Sequence, residues 1–158
     1  MHNEYFIEKR RLPVEVELVS GEHVGGDLFI QASWRGPSVL EDAPEFMNAS
    51  EPFFPLQLAN GSTRLLAKEH VSLVKAPPTE DADGAAMYGV PASVTMELRN
   101  GSNVTGTLII EALAPNMRLL DYLNRVTDPF ITLHDPAGML LVNRHHVVSV
   151  TSLSDGTD

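Results

Sequence analysis

The sequence predicts an all-β fold made of two tandem, five-stranded antiparallel small barrels with little helix. A duplication is the first observation behind this prediction, because residues 16–30 and 96–110 share one pattern of glycines and apolar residues. The second is an alternation of apolar and polar residues on both sides of a short turn in each copy, which is typical of strands with one buried face. Five short strands per copy would leave exposed sheet edges, and curling into a barrel removes them.

Each copy begins with a hairpin. The first copy turns at Ser20-Gly21, and the second turns at Asn100-Gly101. Glycine supplies the positive backbone angle that a tight turn demands. The copies also share a second glycine, at positions 26 and 106. The same strand, turn and strand are therefore predicted twice.

The rest of the first copy predicts a loop followed by three strands. Residues 31–50 predict a loop with one helical turn around Glu45, because Pro37 and Pro44 interrupt any longer helix. The elements predicted beyond it are a strand at 52–58, a turn at Asn60-Gly61, a strand at 65–67 and a closing strand at 70–74.

The second copy repeats this order. Its predicted elements are an excursion over 114–125, a strand at 129–133, a turn at 136–138, a strand at 140–142 and a closing strand at 146–150. His146 opens the closing strand, as His70 does in the first copy. We therefore predict two half-buried histidines that support the final strands.

These patterns divide the chain into four parts. Residues 1–74 form a first repeat with an N-terminal extension, and residues 90–150 form the second repeat. Residues 75–89 are predicted to be a linker, since they are rich in proline, small and polar residues, and residues 151–158 a flexible tail. A unit of roughly 60 residues is marginal on its own. The repeats are therefore expected to pack on each other or on partner chains.

Composition narrows the classes of partner. The 158 residues carry a net charge of −10, which works against the long-range attraction to phosphate that nucleic-acid binding uses, and no DNA partner is expected. No apolar run reaches the roughly 18 residues of a membrane span, and the first residues lack the pattern of a signal peptide. No membrane partner and a cytoplasmic location are therefore expected.

Signatures of catalysis are missing from the sequence. It has no nucleophile elbow, phosphate-binding loop, HExxH segment or dinucleotide fingerprint, so a non-enzymatic protein without a cofactor is predicted. Cysteine is absent, which excludes disulfides and thiolate ligands. His145 and His146 are neighbours on a predicted strand and would point to opposite faces, so no metal site is predicted there.

Three segments together carry a resemblance to a known family. Residues 98–108 have the form Leu-x-x-Gly-x-x-h-x-Gly-x-Leu, where h is an apolar residue, and residues 121–124 have the form Asp-x-h-Asn. Residues 141–150 place a basic residue between two strands. In these features the chain resembles the Sm-like (LSm, Hfq-like) family of small β-barrels.

The resemblance implies a pocket for single-stranded RNA. It gives Asn124 hydrogen bonds to a base edge, Arg144 a phosphate contact or stacking surface, and Asp121 the role of orienting its neighbours, with Tyr122 available for stacking and His145 beside Arg144. A structural interpretation of the same residues is also open: Asp121 caps a turn, Asn124 ends it, and Arg144 pairs with an acid.

The family also assembles through strand edges, which suggests a role for two apolar segments. Phe53 and Phe54 in the first copy, and Phe130 and Ile131 in the second, make their strands apolar on both faces. Such strands fit either a core or an edge between subunits. Two functions are therefore predicted as alternatives: a non-enzymatic assembly module that forms a homo-oligomer or binds a protein partner, and an RNA-binding protein.

Overall fold

The computed structural model describes residues 10–33, 36–78, 89–110 and 118–153. Most of the predicted N-terminal extension, linker and tail lies outside the described residues. The described chain is mostly antiparallel strand, which confirms the all-β class. Its elements are β1 (Arg10–Leu18), β2 (His23–Ile30), β3 (Ala32–Ser33), β4 (Gly36–Leu40), α1 (Ala43–Met47), β5 (Phe53–Gln57), β6 (Thr63–Ala67), β7 (Val71–Ala76), β8 (Val90–Leu98), β9 (Asn103–Ile110), α2 (Leu119–Arg125), β10 (Phe130–Asp135), β11 (Gly138–Asn143) and β12 (Val147–Ser152).

Ten strands form one antiparallel sheet, in the order β12-β8-β9-β10-β11-β7-β1-β2-β5-β6. Within it the first half (β1 to β7) and the second half (β8 to β12) contribute five strands each, in the same relative order. The duplication therefore extends to the topology. The sheet is a single open one in which the halves pair with each other, and closure of each half into a barrel stays a prediction.

The repeated glycines have distinct roles in the hairpins. Gly21 and Gly101 turn the chain with φ of 95° and 93°. Gly26 lies where the third strand of its half crosses the second, and a Cβ placed on it would come within 2.6 Å of the Gln57 carbonyl oxygen. At Gly106, the same added atom would lie 2.9 Å from the Leu133 Cβ. In each copy, the first glycine of the motif therefore lies in the turn, and the second lies where two strands cross closely.

Some segments differ from the predictions. Residues 31–50 contain the predicted helical turn, α1, but also a short two-stranded ribbon of β3 and β4. The strand β7 runs to Ala76, into the predicted linker, and β12 runs to Ser152, into the predicted tail. The extension of β7 is paired with β1 at Lys75 and with β11 at Ala76, and the extension of β12 is paired with β8 throughout.

Two hydrophobic clusters form the core, and neither belongs wholly to one half. The cluster of the first half includes Phe130, Met139 and Leu141 from the second half. The cluster of the second half includes Leu73 from the first. The two halves therefore complete each other's cores.

Candidate functional site at the seam and the sheet ends

The two halves meet where β7 pairs with β11, and we call this contact the seam. Its register places Leu141 opposite Val74 and Val142 opposite Leu73. All four side chains are buried. Backbone pairing and apolar burial coincide here, as they do between strands of a single core.

A buried histidine joins the halves by hydrogen bonds. His146 Nε2 lies 2.7 Å from the carbonyl oxygen of Glu69, and Nδ1 lies 2.9 Å from Ser72 Oγ. The carbonyl oxygen can only accept a hydrogen bond, so Nε2 carries the ring proton and donates it. Nδ1 therefore accepts a hydrogen bond from the Ser72 hydroxyl. Burial lowers the pKa of His146, and nearby Arg99 acts in the same direction. In the neutral form of His146, both ring nitrogens therefore make hydrogen bonds across the seam.

Two asparagines bind backbone groups across the seam. Asn143 donates from Nδ2 to the carbonyl oxygens of Lys68 and Val71, at 3.2 and 2.9 Å. Asn48 accepts from the Phe130 N–H at 2.8 Å and donates to its carbonyl oxygen at 3.3 Å. Asn48 thereby extends the end of β10 in the way a paired strand would.

The turn of the second hairpin contacts the first half. Glu17 is buried, and its Oε2 accepts hydrogen bonds from Asn100 Nδ2, at 2.6 Å, and from Ser102 Oγ. The motif residue Asn100 is therefore a contact between halves as well as a turn residue.

A cavity of about 530 Å³ opens beside these contacts. Lys68 is buried on its wall, and its Nζ donates to the Ala49 carbonyl oxygen at 2.8 Å. Burial lowers the pKa of Lys68, which Glu51 and Glu41 partly offset. The wall is largely apolar, with Phe53, Phe130, Pro52, Pro129, Ala49, Ala67, Asn48, Ser50, Glu51, Glu69, Asn143 and His145 completing it.

The residues predicted to bind RNA do not all meet in this cavity. Of the five, only His145 lines it. Asp121 accepts from the Arg118 N–H at 3.2 Å and so caps α2, as the structural interpretation predicted. Tyr122 packs against the core of the second half, and Asn124 is exposed near the end of α2.

Arg144 has partners other than the predicted acid. Its guanidinium donates from Nε to the Asp128 carbonyl oxygen at 3.1 Å and from Nη2 to that of Thr127 at 3.5 Å. It therefore holds the loop before β10.

The predicted interaction edges are interior strands, which corrects that prediction. The strand β5, with Phe53 and Phe54, lies between β2 and β6, and β10, with Phe130 and Ile131, lies between β9 and β11. Three of these side chains are buried, and only Phe53 is exposed. On β10 the apolar residues of the two faces enter two different cores, whereas β5 faces a core only on the Phe54 side, and a sequence pattern cannot distinguish these arrangements from a free edge.

The histidine predictions also need correction. His145 and His146 lie in a 3₁₀ turn, Arg144–His146, and not on a strand. His146 is fully buried and not half-buried, whereas its counterpart His70 is exposed. The difference arises because both ring nitrogens of His146 are covered by groups of the first half, Ser72 and the Glu69 carbonyl.

The free ends are β6 and β12, which sequence reasoning did not single out. Each carries a large exposed apolar side chain, Leu65 on β6 and Val148 on β12. The alternation of β6 predicts an outward Leu65, but only the strand order reveals that nothing in the described chain covers it.

Among the described residues, no cluster of three or more histidine or acidic side chains could hold a metal ion. No described helix is long and apolar enough to span a membrane.

Comparisons with models of protein families, with curated proteins and with solved structures gave no match. The candidate site is therefore interpreted from its own geometry.

Proposed function

We propose that this chain is a non-enzymatic assembly module, built from two Sm-like small barrels, that binds extended protein segments at its two sheet ends. A terminal strand presents a row of backbone N–H and C=O groups that another strand can pair with. Addition of a strand to such an edge is a common mode of protein recognition, with affinity from the backbone and selectivity from side chains.

One observation carries the proposal: equivalent apolar residues are buried at the seam and exposed at the end of the sheet. Phe53 pairs with Ala67 as Phe130 pairs with Asn143, so the two phenylalanines are equivalent, and so are Leu65 and Leu141. Phe130 is 1% exposed and Leu141 is fully buried, whereas Phe53 is 59% and Leu65 is 68% exposed. Phe53 and Leu65 lie on neighbouring strands, and exposed apolar side chains that lie together are a feature of interaction sites.

The chemistry of the polar residues supports a structural role. Both ring nitrogens of His146 and the ammonium group of Lys68 bond partners within the protein. A general base or nucleophile needs an atom that is free to reach a substrate. His146 instead holds the two halves together, and Lys68 bonds a backbone group within the first half.

Binding of a strand peptide tests the proposal. A fluorescent peptide with the sequence of residues 144–153 contains β12, whose counterpart β7 pairs with β11 at the seam, so we expect it to add to β6. Fluorescence anisotropy should show saturable binding to the purified protein. Leu65→Lys should abolish it, because a lysine would bring a charge into the new contact.

Leu120→Lys is the matched control, since Leu120 is equally exposed but lies on the helix α2 and not on either terminal strand. It should leave binding unchanged. No saturable binding, or binding that Leu65→Lys does not affect, would contradict the proposal.

Binding of single-stranded RNA is the second candidate. One observation favours it: His145 lines the seam cavity together with the exposed ring of Phe53, and an exposed aromatic ring is a surface on which a base stacks. Asn124 and Arg144 are the residues that the resemblance assigns to the RNA.

A further inference from the structure

The seam cavity has the size and the lining of a small-molecule site. Its volume of about 530 Å³ lies within the range of roughly 300–1,000 Å³ in which proteins bind small ligands. Both halves build it, since Phe53 and Lys68 belong to the first half and Pro129 and His145 to the second. A largely apolar wall with a few polar groups is typical of such sites. The cavity can therefore enclose an organic molecule of modest size.

Lys68 is a buried cation on this wall, and its bonds within the protein leave two donors unused. An ammonium group has three N–H donors, and Lys68 uses one of them, for the Ala49 carbonyl oxygen. Among the described residues, no carboxylate lies within ion-pair distance of Lys68, and Glu51 and Glu41 attract it only over a longer range. Lys68 is nevertheless only 8% exposed. A buried cation without a paired anion is costly, so this position favours a ligand with a negative charge.

The two asparagines of the wall, in contrast, already have partners. Asn48 bonds both backbone groups of Phe130. Asn143 donates to two carbonyl oxygens, and its Oδ1 accepts from the His145 N–H at 2.9 Å. Lys68 is therefore the group of the wall from which a ligand can gain most.

The acidic residues nearby limit how much charge a ligand can carry. Glu51 and Glu69 also line the cavity, and both are exposed. Solvent screens their charges, whereas the charge of the buried Lys68 acts with little screening. One anionic group in contact with Lys68 is therefore attracted, but a second negative charge on the ligand would meet these carboxylates. The wall favours a monoanion over a dianion such as a phosphate monoester.

An aromatic surface for the rest of the ligand lies beside Lys68. Phe53 and Lys68 together line the seam cavity and also the smaller cavity next to it, of about 290 Å³. The ring of Phe53 is exposed, and aromatic rings stack favourably on one another. A ligand that joins a ring to one carboxylate by a short link matches both groups.

From these observations we infer that the seam cavity binds a small aromatic monocarboxylate, whose carboxylate pairs with Lys68 and whose ring stacks on Phe53. The inference goes beyond the proposed function, which depends on the edges of the terminal strands and not on the cavity. Because the cavity wall comes from both halves, the ligand binds only where the halves are paired. Binding therefore stabilises the folded chain.

Isothermal titration calorimetry of the full chain with phenylacetate, at neutral pH and low salt, tests this inference. We expect saturable binding at one site per chain, and a midpoint of thermal unfolding that rises with ligand concentration. Phenylacetamide has nearly the same shape without the charge, and it should bind about tenfold more weakly because it loses a charged hydrogen bond. Phenylmalonate adds a second carboxylate and should also bind more weakly than phenylacetate.

Lys68→Met identifies the charged group, because methionine keeps an apolar side chain of similar length and loses the ammonium group. We expect this variant to bind phenylacetate and phenylacetamide equally weakly. Lys75→Met is the matched control, since Lys75 is exposed on β7 and does not line the cavity. It should keep the preference for phenylacetate. Phe53→Ala should weaken the binding of both ligands by a similar factor, because both lose the same ring contact.

Several results would overturn the inference. The comparison of ligands on the unchanged chain needs no variant, and equal affinities for phenylacetate and phenylacetamide would reject the role of Lys68. Absence of saturable phenylacetate binding, or binding that Lys68→Met leaves unchanged, would reject the site. Uridine monophosphate that binds more tightly than phenylacetate would assign the cavity to a nucleotide instead. Binding of the 144–153 peptide at β6 is measured separately, so either proposal can fail without the other.

Discussion

His146 and His70 occupy equivalent positions in the two halves, but they have different surroundings and therefore different chemistry. Its counterpart His70 has the same place in the repeat and is exposed, whereas His146 is enclosed by groups from both halves. Burial lowers the pKa of His146 because a charged imidazolium would lose its hydration there.

This lowered pKa predicts a pH dependence of stability. An unfolded histidine has a pKa of about 6.5. Below that pH, His146 therefore binds a proton in the unfolded chain more readily than in the folded chain. The unfolded state then binds more protons, and the free energy of unfolding falls as the pH is lowered from 7 to 5. His146→Gln cannot titrate, so its unfolding free energy should fall less over this range.

Urea unfolding at several pH values measures the difference between the chain and the His146→Gln variant. His134→Gln is the control, because it also removes one histidine, lies on β10 and is not among the groups that shift the pKa of His146; it should change the pH profile less than His146→Gln. Identical profiles for the chain and His146→Gln would show that His146 does not titrate differently in the folded state.

At the scale of elements, the hairpins are the part of the fold that the sequence predicted best. Their turn geometry and alternation are local properties, and the structure confirms both copies with equivalent registers. The ribbon of β3 and β4 was not predicted, because prolines at positions 37 and 44 weaken any strand or helix pattern in that segment.

The close crossing at Gly26 predicts a sharp difference between neighbouring glycines. In Gly26→Ala the new methyl group would meet the Gln57 carbonyl oxygen, a backbone atom that cannot move away easily. We expect a loss of about 1–3 kcal/mol in the free energy of unfolding, the usual cost of overpacking.

Gly25→Ala is the matched control, since a Cβ at Gly25 has nothing within 4 Å. It should be neutral or slightly stabilising, because alanine restricts the unfolded chain. Midpoints of urea unfolding for the two variants measure the contrast, and equal midpoints would mean that the crossing is looser than described.

At the scale of the whole molecule, the net charge makes the two proposed functions respond to salt in opposite directions. With a net charge of −10, copies of the chain repel one another and also repel RNA. Salt screens the repulsion between copies and so favours self-association. RNA contacts release counterions, and salt therefore weakens them.

Anisotropy of labelled oligo-uridine and oligo-adenosine, at low and physiological salt, tests the RNA hypothesis. It predicts saturable binding that weakens with salt and is lost in an Asn124→Ala/Arg144→Ala variant. Asn103→Ala/Arg118→Ala removes the same side-chain types at other exposed positions and should keep the binding. No binding even at low salt would leave the assembly module as the function.

The candidate site was only partly predictable. Phe53 was named from its sequence and is exposed, whereas Phe54, Phe130 and Ile131 are buried in cores. Leu65 and Val148 were missed because their neighbours in sequence do not reveal whether another strand covers them. Asn48 and Ser72 were missed for a related reason, since their partners are 82 and 74 residues away.

The sequence by itself determined the duplication, the strand class and the hairpin turns, because the apolar alternation and the turn residues are patterns of residues close together in the chain. Only the tertiary structure decided that the fifth strand of the first half pairs with the fourth strand of the second. Alternation shows which side chains face a core, but not which core or which neighbouring strand. Equivalent strands of the two halves therefore lie buried at the seam in one half and exposed at a sheet end in the other.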